Sequence, residues 1–304
     1  MVLPIVFHPS YTVQLPSQYR FPMAKFGRIF EHLVSEGIVT TEAAIKPIPV
    51  PRKWLELVHS STYVSKVFGF CRESESVRRI GLPLSKSLVY RSRLAVAGTI
   101  QAGRLALDSS IACNIAGGSH HAFRDHGSGF CIFNDVAVAI KVLQSESLIE
   151  RALVLDLDVH QGDGTATIFS DDPSVFTFSM HCSSNFPPRK KKSDRDIGLP
   201  RGTGDHKYLA VLRAELDSII SKWTPDIVFY NAGVDSHVED KLGRLSLTDN
   251  GLADRDLMVL STCHSENIPI AAVVGGGYSD DIDQLAYRHA ILQRTASALF
   301  AASW

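Results

Sequence analysis

Residues 152–164 read ALVLDLDVHQGDG. Four apolar residues run straight into Asp156, Asp158, His160 and Asp163, four ionisable side chains within eight positions. An apolar run without polar alternation suits a strand buried on both faces, as in a parallel sheet. Carboxylates at the end of such a strand are costly to bury unless something positive compensates them. The spacing i, i+2, i+4 predicts Asp156, Asp158 and His160 on one face of an extended strand. Two carboxylates and an imidazole with further positions open match a catalytic zinc site, so a cation is the expected compensator.

The rest of the chain repeats this plan. Short apolar runs stop abruptly at Gly, His, Asp or Asn: 111–116 before GGSHHA, 153–157 before DVHQGDG, 175–179 before MHCSSN, 227–230 before NAGVDS, and 268–274 before GGGYSDD. Helical patterns fill the intervals over 92–107, 135–143, 208–223, 251–261 and 281–300. Such alternation predicts an α/β chain: one domain over 1–304 with a doubly wound, mainly parallel β-sheet flanked by helices. Ligands of these sheets bind beyond the carboxyl ends of the strands, which is where every polar cluster falls.

Composition narrows the function classes. Of 304 residues, 45% are hydrophobic and 21% charged, as in a soluble globular enzyme. A formal net charge of −1 gives no reason to expect nucleic acid or an anionic membrane as partner. No apolar run approaches the ~18 residues of a membrane span. The N-terminal MVLPIVFHPS lacks a basic leader and is interrupted by His8-Pro9, which favours a first strand over a signal peptide. Cysteines at 71, 113, 131, 182 and 263 form no CxxC pair, so reduced thiols and a cytoplasmic location are expected.

Three further clusters bear on the chemistry. Asp235 in NAGVDS, taken alone, reads as a turn residue after Gly233; beside Asp158 and His160 it reads as a further metal ligand. His120 and His121 follow a Gly-Gly pair and could be a solvated loop. Asp156 and Asp163 are nonetheless available to fix their tautomers, and two His–Asp pairs beside a metal make an acid/base apparatus. The glycines of GGGYSD (275–280) permit a sharp turn that presents Tyr278; they lack dinucleotide-binding spacing.

In order along the chain, GGSHHA (117–122), HGSGFCIFND (126–135), DLDVHQGDGT (156–165), NAGVDSH (231–237) and GGGY (275–278) resemble the zinc-dependent histone deacetylase superfamily. HPSY (8–11) and FPMAK (21–25) extend the likeness toward the N-terminus, and GGSHHA with RFPMAKF points to a class IV-like or bacterial branch. The resemblance implies an arginase–deacetylase fold and removal of acetyl or longer acyl groups from protein lysines by metal-activated water. It assigns Asp158, His160 and Asp235 to zinc, with iron(II) as the other metal such ligands tolerate. His121, paired with Asp163, would be the general base. His120, paired with Asp156, would give electrostatic help or a proton to the leaving amine. Tyr278 would donate to the polarised carbonyl. Phe130 and Phe186 would wall the acyl-lysine tunnel, and the Gly129 carbonyl and Gly276 would contact the substrate.

The resemblance also implies structural potassium. One site would use Asp156, Asp158, Ser179 and the carbonyls of His160 and Met180; a second would use the carbonyls of Phe169, Asp172, Val175 and Arg195. The chain departs from the pattern at Ser119, where a larger apolar residue is common. The basic loop 185–196, NFPPRKKKSDRD, is expected to be solvated, with docking of an acidic peptide as the alternative. No rim aspartate for holding a substrate backbone is recognisable. The other substrate reading is a small acylated amine such as an acetylpolyamine, which the basic run 189–192 disfavours. The sequence does not give an oligomeric state.

Overall fold

The structure is a computed structural model that describes residues 2–302. Seven strands form one parallel sheet in the order β1-β2-β7-β6-β3-β4-β5. They are β1 (Ile5–Val6), β2 (Ile111–Asn114), β3 (Ala152–Asp156), β4 (Val175–Cys182), β5 (Arg195–Leu199), β6 (Ile227–Asn231) and β7 (Ile270–Val273). The apolar runs became the interior strands because both of their faces are covered: every residue of β2, β3, β6 and β7 is buried.

Among the described residues, ten α-helices connect and cover the strands: α1 (Lys25–Ser35), α2 (Arg52–Leu55), α3 (Ser61–Phe68), α4 (Glu75–Arg78), α5 (Lys86–Ser109), α6 (Asp135–Ser145), α7 (Asp163–Ile168), α8 (Asp205–Lys222), α9 (Asp249–Ser265) and α10 (Ile282–Ala302). They pack as two groups, α5 with α6, and α1, α10, α9 and α8 in succession. Side-chain caps define several starts, among them Ser85 on α5, Asn134 on α6 and Thr248 on α9. Each such cap contributes about 1 kcal/mol. Asn134 also donates from Nδ2 to Thr165 Oγ1 at 2.9 Å, tying the start of α6 to α7 beneath the polar clusters.

The order of the strands creates the site. From β3 the chain moves outward to β4 and β5, then returns across β3 to β6 and on to β7. The loops after β3 and β6 therefore diverge, and a crevice opens at this switch point. Asp156 and Asn231, the last residues of β3 and β6, are register partners at its floor.

Two expectations need correction. The run 185–196 is not wholly a solvated loop, because its last two residues begin β5. That strand escaped the periodicity because it is an edge, with only Leu199 buried among its five residues. Asp156, Asp158 and His160 also do not share one face of a strand. β3 ends at Asp156, and the other two lie on the loop beyond it. All five cysteines are free, and no helix among the described residues is long and apolar enough to cross a membrane.

Candidate active site

What gathers the charged side chains is backbone hydrogen bonding in the loops, not the pleat of a strand. The His160 N–H donates to Asp158 Oδ1 at 3.0 Å, and the Val159 N–H donates to Asp235 Oδ1 at 2.8 Å. The Gly276 N–H, from the loop after β7, donates to Asp158 Oδ2 at 2.8 Å. A Cβ at Gly276 would lie 2.1 Å from Asp235 Oδ2, so only glycine lets this backbone approach both carboxylates. His160 Nδ1 sits 3.1 Å from Asp158 Oδ1 and 3.1 Å from Asp235 Oδ2.

These three buried residues each offer one ligand atom, all within 4.8 Å of one another. Their electrostatics fit a cation. Burial and the neighbouring Asp158 push the Asp235 carboxyl up to about 7. Burial alone would lower the pKa of His160, but hydrogen bonds to Asp158 and Asp235 outweigh it and raise it to about 10. Two buried carboxylates thus compete for one proton on His160, and a metal ion in the same place would satisfy all three.

Both predicted His–Asp pairs form. His120 Nδ1 lies 2.7 Å from Asp156 Oδ2, and His121 Nδ1 lies 2.6 Å from Asp163 Oδ1. An ionised carboxylate only accepts, so each Nδ1 carries the hydrogen and each Nε2 is turned to other work. Asp156 Oδ1 takes further donors from Asn231 Nδ2 at 2.9 Å and the Asp158 N–H at 3.2 Å. Asp163 is the first residue of α7.

Tyr278 is held by its backbone. Its N–H donates to Asp240 Oδ2 at 2.7 Å, and its carbonyl accepts from the Lys241 N–H at 3.1 Å. Burial, with Asp235 and Asp158 nearby, raises the phenol well above its ordinary pKa, so it stays a donor. Its ring stands 6.5 Å from that of His160.

One cavity of about 500 Å³ joins these parts. His120, His121, Asp158, His160, Gly276 and Tyr278 line it together with Gly129, Phe130 and Phe186. Phe186 meets His121 edge to face at 4.9 Å, and Phe130 lies 5.9 Å from Tyr278. Phe130 holds a left-handed φ of 68° with its N–H on the Ile80 carbonyl. Gly129, at φ 51°, packs so closely that a Cβ would lie 2.6 Å from His121 Cδ2. Strained backbone of this kind gathers at ligand sites.

A sequence profile described as Histone deacetylase domain matches residues 19–294 of the chain. The chain belongs to the histone deacetylase family. Among relatives, it is 49% identical over 99% of its length to an uncharacterized protein of Picosynechococcus sp., covering 100% of that protein. It is 30% identical to Histone deacetylase 2 of Arabidopsis thaliana, over 90% of this chain and 74% of that one. It is 28% identical to the acetoin utilization protein AcuC of Bacillus subtilis, over 90% and 76%. In fold it resembles the HDA15 HD domain (TM-score 0.82, 21% identity, 98% and 90% covered). It likewise resembles an HDAC homolog complexed with SAHA (TM-score 0.82, 24% identity, 99% and 84% covered). As a histone deacetylase family member the protein is a deacetylase, a hydrolase of amide bonds, in a generally metal-dependent family.

The remaining expected positions lie on β4, on β5 and around the end of α7. Ser179 is the register partner of Asp156, and Met180 follows it, buried in β4. At the expected second potassium site, the Phe169 and Asp172 carbonyls already accept the N–H groups of Asp172 and Val175. The Asp172 carboxylate pairs with Lys141, and Arg195 pairs with Glu215 at 2.6 Å. The loop before β5 is braced as well as solvated: Lys190 turns inward onto the Asn185 and Pro187 carbonyls, while Arg189, Lys191 and Lys192 are not buried.

Several polar residues in and around this site were not singled out from sequence. Lys25, fully buried, donates to the Gly275 and Gly277 carbonyls at 3.1 and 3.3 Å and so props the turn that presents Tyr278. Its signal was a lysine inside the apolar FPMAKF. Arg255, also fully buried, donates to the Gly233 carbonyl at 2.6 Å and pairs with Asp256 at 2.9 Å, bracing the loop that carries Asp235. Asp240, Asn231 and Arg91 complete this set.

Proposed function

We propose that the protein is a metal-dependent lysine deacylase that removes acetyl or longer acyl groups from lysine side chains. The observation that carries this reading is the convergence, in one phenylalanine-walled cavity, of Asp158–His160–Asp235, two His–Asp pairs and Tyr278. A cation held by Asp158, His160 and Asp235, zinc or iron(II), would supply Lewis acidity to the carbonyl and acidify water.

The protein's own groups do the rest. Phe130 and Phe186 shield the lysine methylenes from water, and the Gly129 carbonyl accepts from the substrate amide N–H. His121 takes the proton of the attacking water at Nε2, its Nδ1–H being fixed on Asp163. Tyr278 donates to the carbonyl oxygen as negative charge develops there. The C–O bond forms, the C–N bond breaks, and a histidine returns the proton to the departing nitrogen, giving a carboxylate and a lysine ammonium. His120 supplies that proton or holds positive charge beside it. A potassium ion at Asp156, Asp158, Ser179, Met180 and the His160 carbonyl would compensate Asp156.

The purified protein should be assayed side by side on acetyl-lysine peptides, long-chain acyl-lysine peptides and acetylpolyamines. Turnover of acyl-lysine peptides is expected. Turnover of acetylpolyamines alone would move the reading to a small-molecule deacetylase. The cavity speaks against that, since Asp158 is the one acidic residue lining it and Arg79 stands among its lining residues.

A further inference from the structure

Arg91, on α5, is 9% exposed and lines the same cavity, as do Phe21, Phe26, Gly117 and Ser119. Buried charges are ordinarily paired. Arg255 pairs with Asp256 and Arg288 with Glu239 and Asp249, while Lys25 is held by two carbonyls. Arg91 forms no ion pair among the described residues. Its Nε donates to the Tyr11 carbonyl at 3.2 Å, and its guanidinium lies 4.5 Å over the Phe26 ring.

The carboxylate nearest in influence, Asp135, is already engaged. It accepts from Thr99 Oγ1 at 2.6 Å, the Ser119 N–H at 2.7 Å and the Gly118 N–H at 3.2 Å. Burial lowers the pKa of Arg91 to about 10, which leaves it charged at neutral pH. A charged, planar fork with unused N–H donors is thus fixed on an aromatic ring in the wall of the cavity. Guanidinium groups in that state match carboxylates, which accept two parallel hydrogen bonds.

We propose that this part of the cavity recognises a carboxylate, and that the acyl groups the protein prefers are those of dicarboxylic acids, whose far end pairs with Arg91. The proposal rests on the lysine-deacylase reading and names its substrate class. The scissile amide lies at the Asp158–His160–Asp235 end, and the acyl chain extends from it toward Arg91. Ser119 lines the same cavity as Arg91 and adds a small polar side chain to it. Hydrolysis then releases free lysine and a dicarboxylate, with water supplying the new oxygen and the proton on nitrogen.

The test uses the full-length, metal-loaded protein and one peptide carrying acetyl-, succinyl- or glutaryl-lysine, with the terminal-amide twin of each dicarboxylic acyl group. The twins match in size and differ in charge. The expected result is that kcat/KM for at least one carboxylate form exceeds its twin by about 10-fold or more. Arg91→Gln should abolish that difference and Arg91→Lys should keep part of it. Twins turned over as fast as the carboxylates by the unmodified protein would overturn the proposal, whatever the variants do. So would an Arg91→Gln variant that slows both members equally, which would mark Arg91 as a brace for the Tyr11 carbonyl. If no acyl peptide is hydrolysed, acetyl included, the deacylase reading fails. Calorimetric binding of glutaryl-lysine and its twin then decides the carboxylate site: preference for the charged form that is lost in Arg91→Gln supports it, and equal binding refutes it.

Discussion

His120 and His121 are chain neighbours with rings 4.1 Å apart, and each meets a buried aspartate at nearly the same distance, 2.7 and 2.6 Å. Their proton affinities nevertheless diverge. Burial lowers both, but His120 faces two carboxylates: Asp156 on Nδ1 and Asp158, 3.8 Å from Nε2. They raise its pKa to about 9. His121 faces Asp163 alone, and burial together with the positive charge of His120 lowers it to about 4. One imidazole keeps a proton and the other keeps a lone pair. Two chemically identical groups acquire opposite proton affinities from environment alone, as the proposed acid and base roles at neutral pH require.

The largest expected effect removes what both pairs serve. Asp158→Ala or Asp235→Ala should lose bound metal and activity together; full metal occupancy in either, measured by elemental analysis, would break the ligand assignment. Tyr278→Phe should come next, lowering kcat on the order of 100-fold with little change in KM. A pure KM effect would reduce Tyr278 to a binding residue. Asp163→Asn should lower kcat about 10- to 100-fold by loosening the His121 tautomer. If it changes nothing, His121 does not depend on its partner and the comparison of the two pairs loses its meaning.

A third buried histidine sharpens the comparison from outside the site. His59 has no carboxylate; its Nδ1–H donates to the Phe123 carbonyl at 2.8 Å, and its Nε2 accepts the Asn134 N–H at 3.0 Å. Burial lowers its pKa from 6.5 to about 4. The folded state therefore needs the neutral ring. That contribution is complete above pH 6.5 and is lost as pH falls from there toward 4, roughly 3 kcal/mol in all. In His59→Gln, whose amide oxygen accepts but does not titrate, this part of the stability–pH curve should flatten. Turnover per folded molecule should be unchanged. An unchanged curve would mean that His59 is not a source of acid sensitivity.

Much of this architecture was legible in sequence where local pattern and burial agree. The runs 153–157 and 227–230 became β3 and β6 almost residue for residue, because a strand covered on both faces has no room for polar alternation. The candidate acid, base and ligand residues were legible for the same reason, since each interrupts an apolar context. Lys25 and Arg255 were not, although both are fully buried, because their partners lie 250 and 22 residues away and only the folded loops reveal them. Asp158 and His160 were read correctly as neighbours but for the wrong geometric reason: loop backbone bonds, not strand pleating, bring them together.

The most direct test of the two-histidine account is metal content and kcat of His121→Ala beside His120→Ala, on one acyl-lysine peptide in one assay. The account predicts that both variants keep their metal. His121→Ala should lose kcat on the order of 10³-fold or more, and His120→Ala about 10-fold less than that. Substantial turnover by metal-loaded His121→Ala, or equal losses in the two variants, would contradict it.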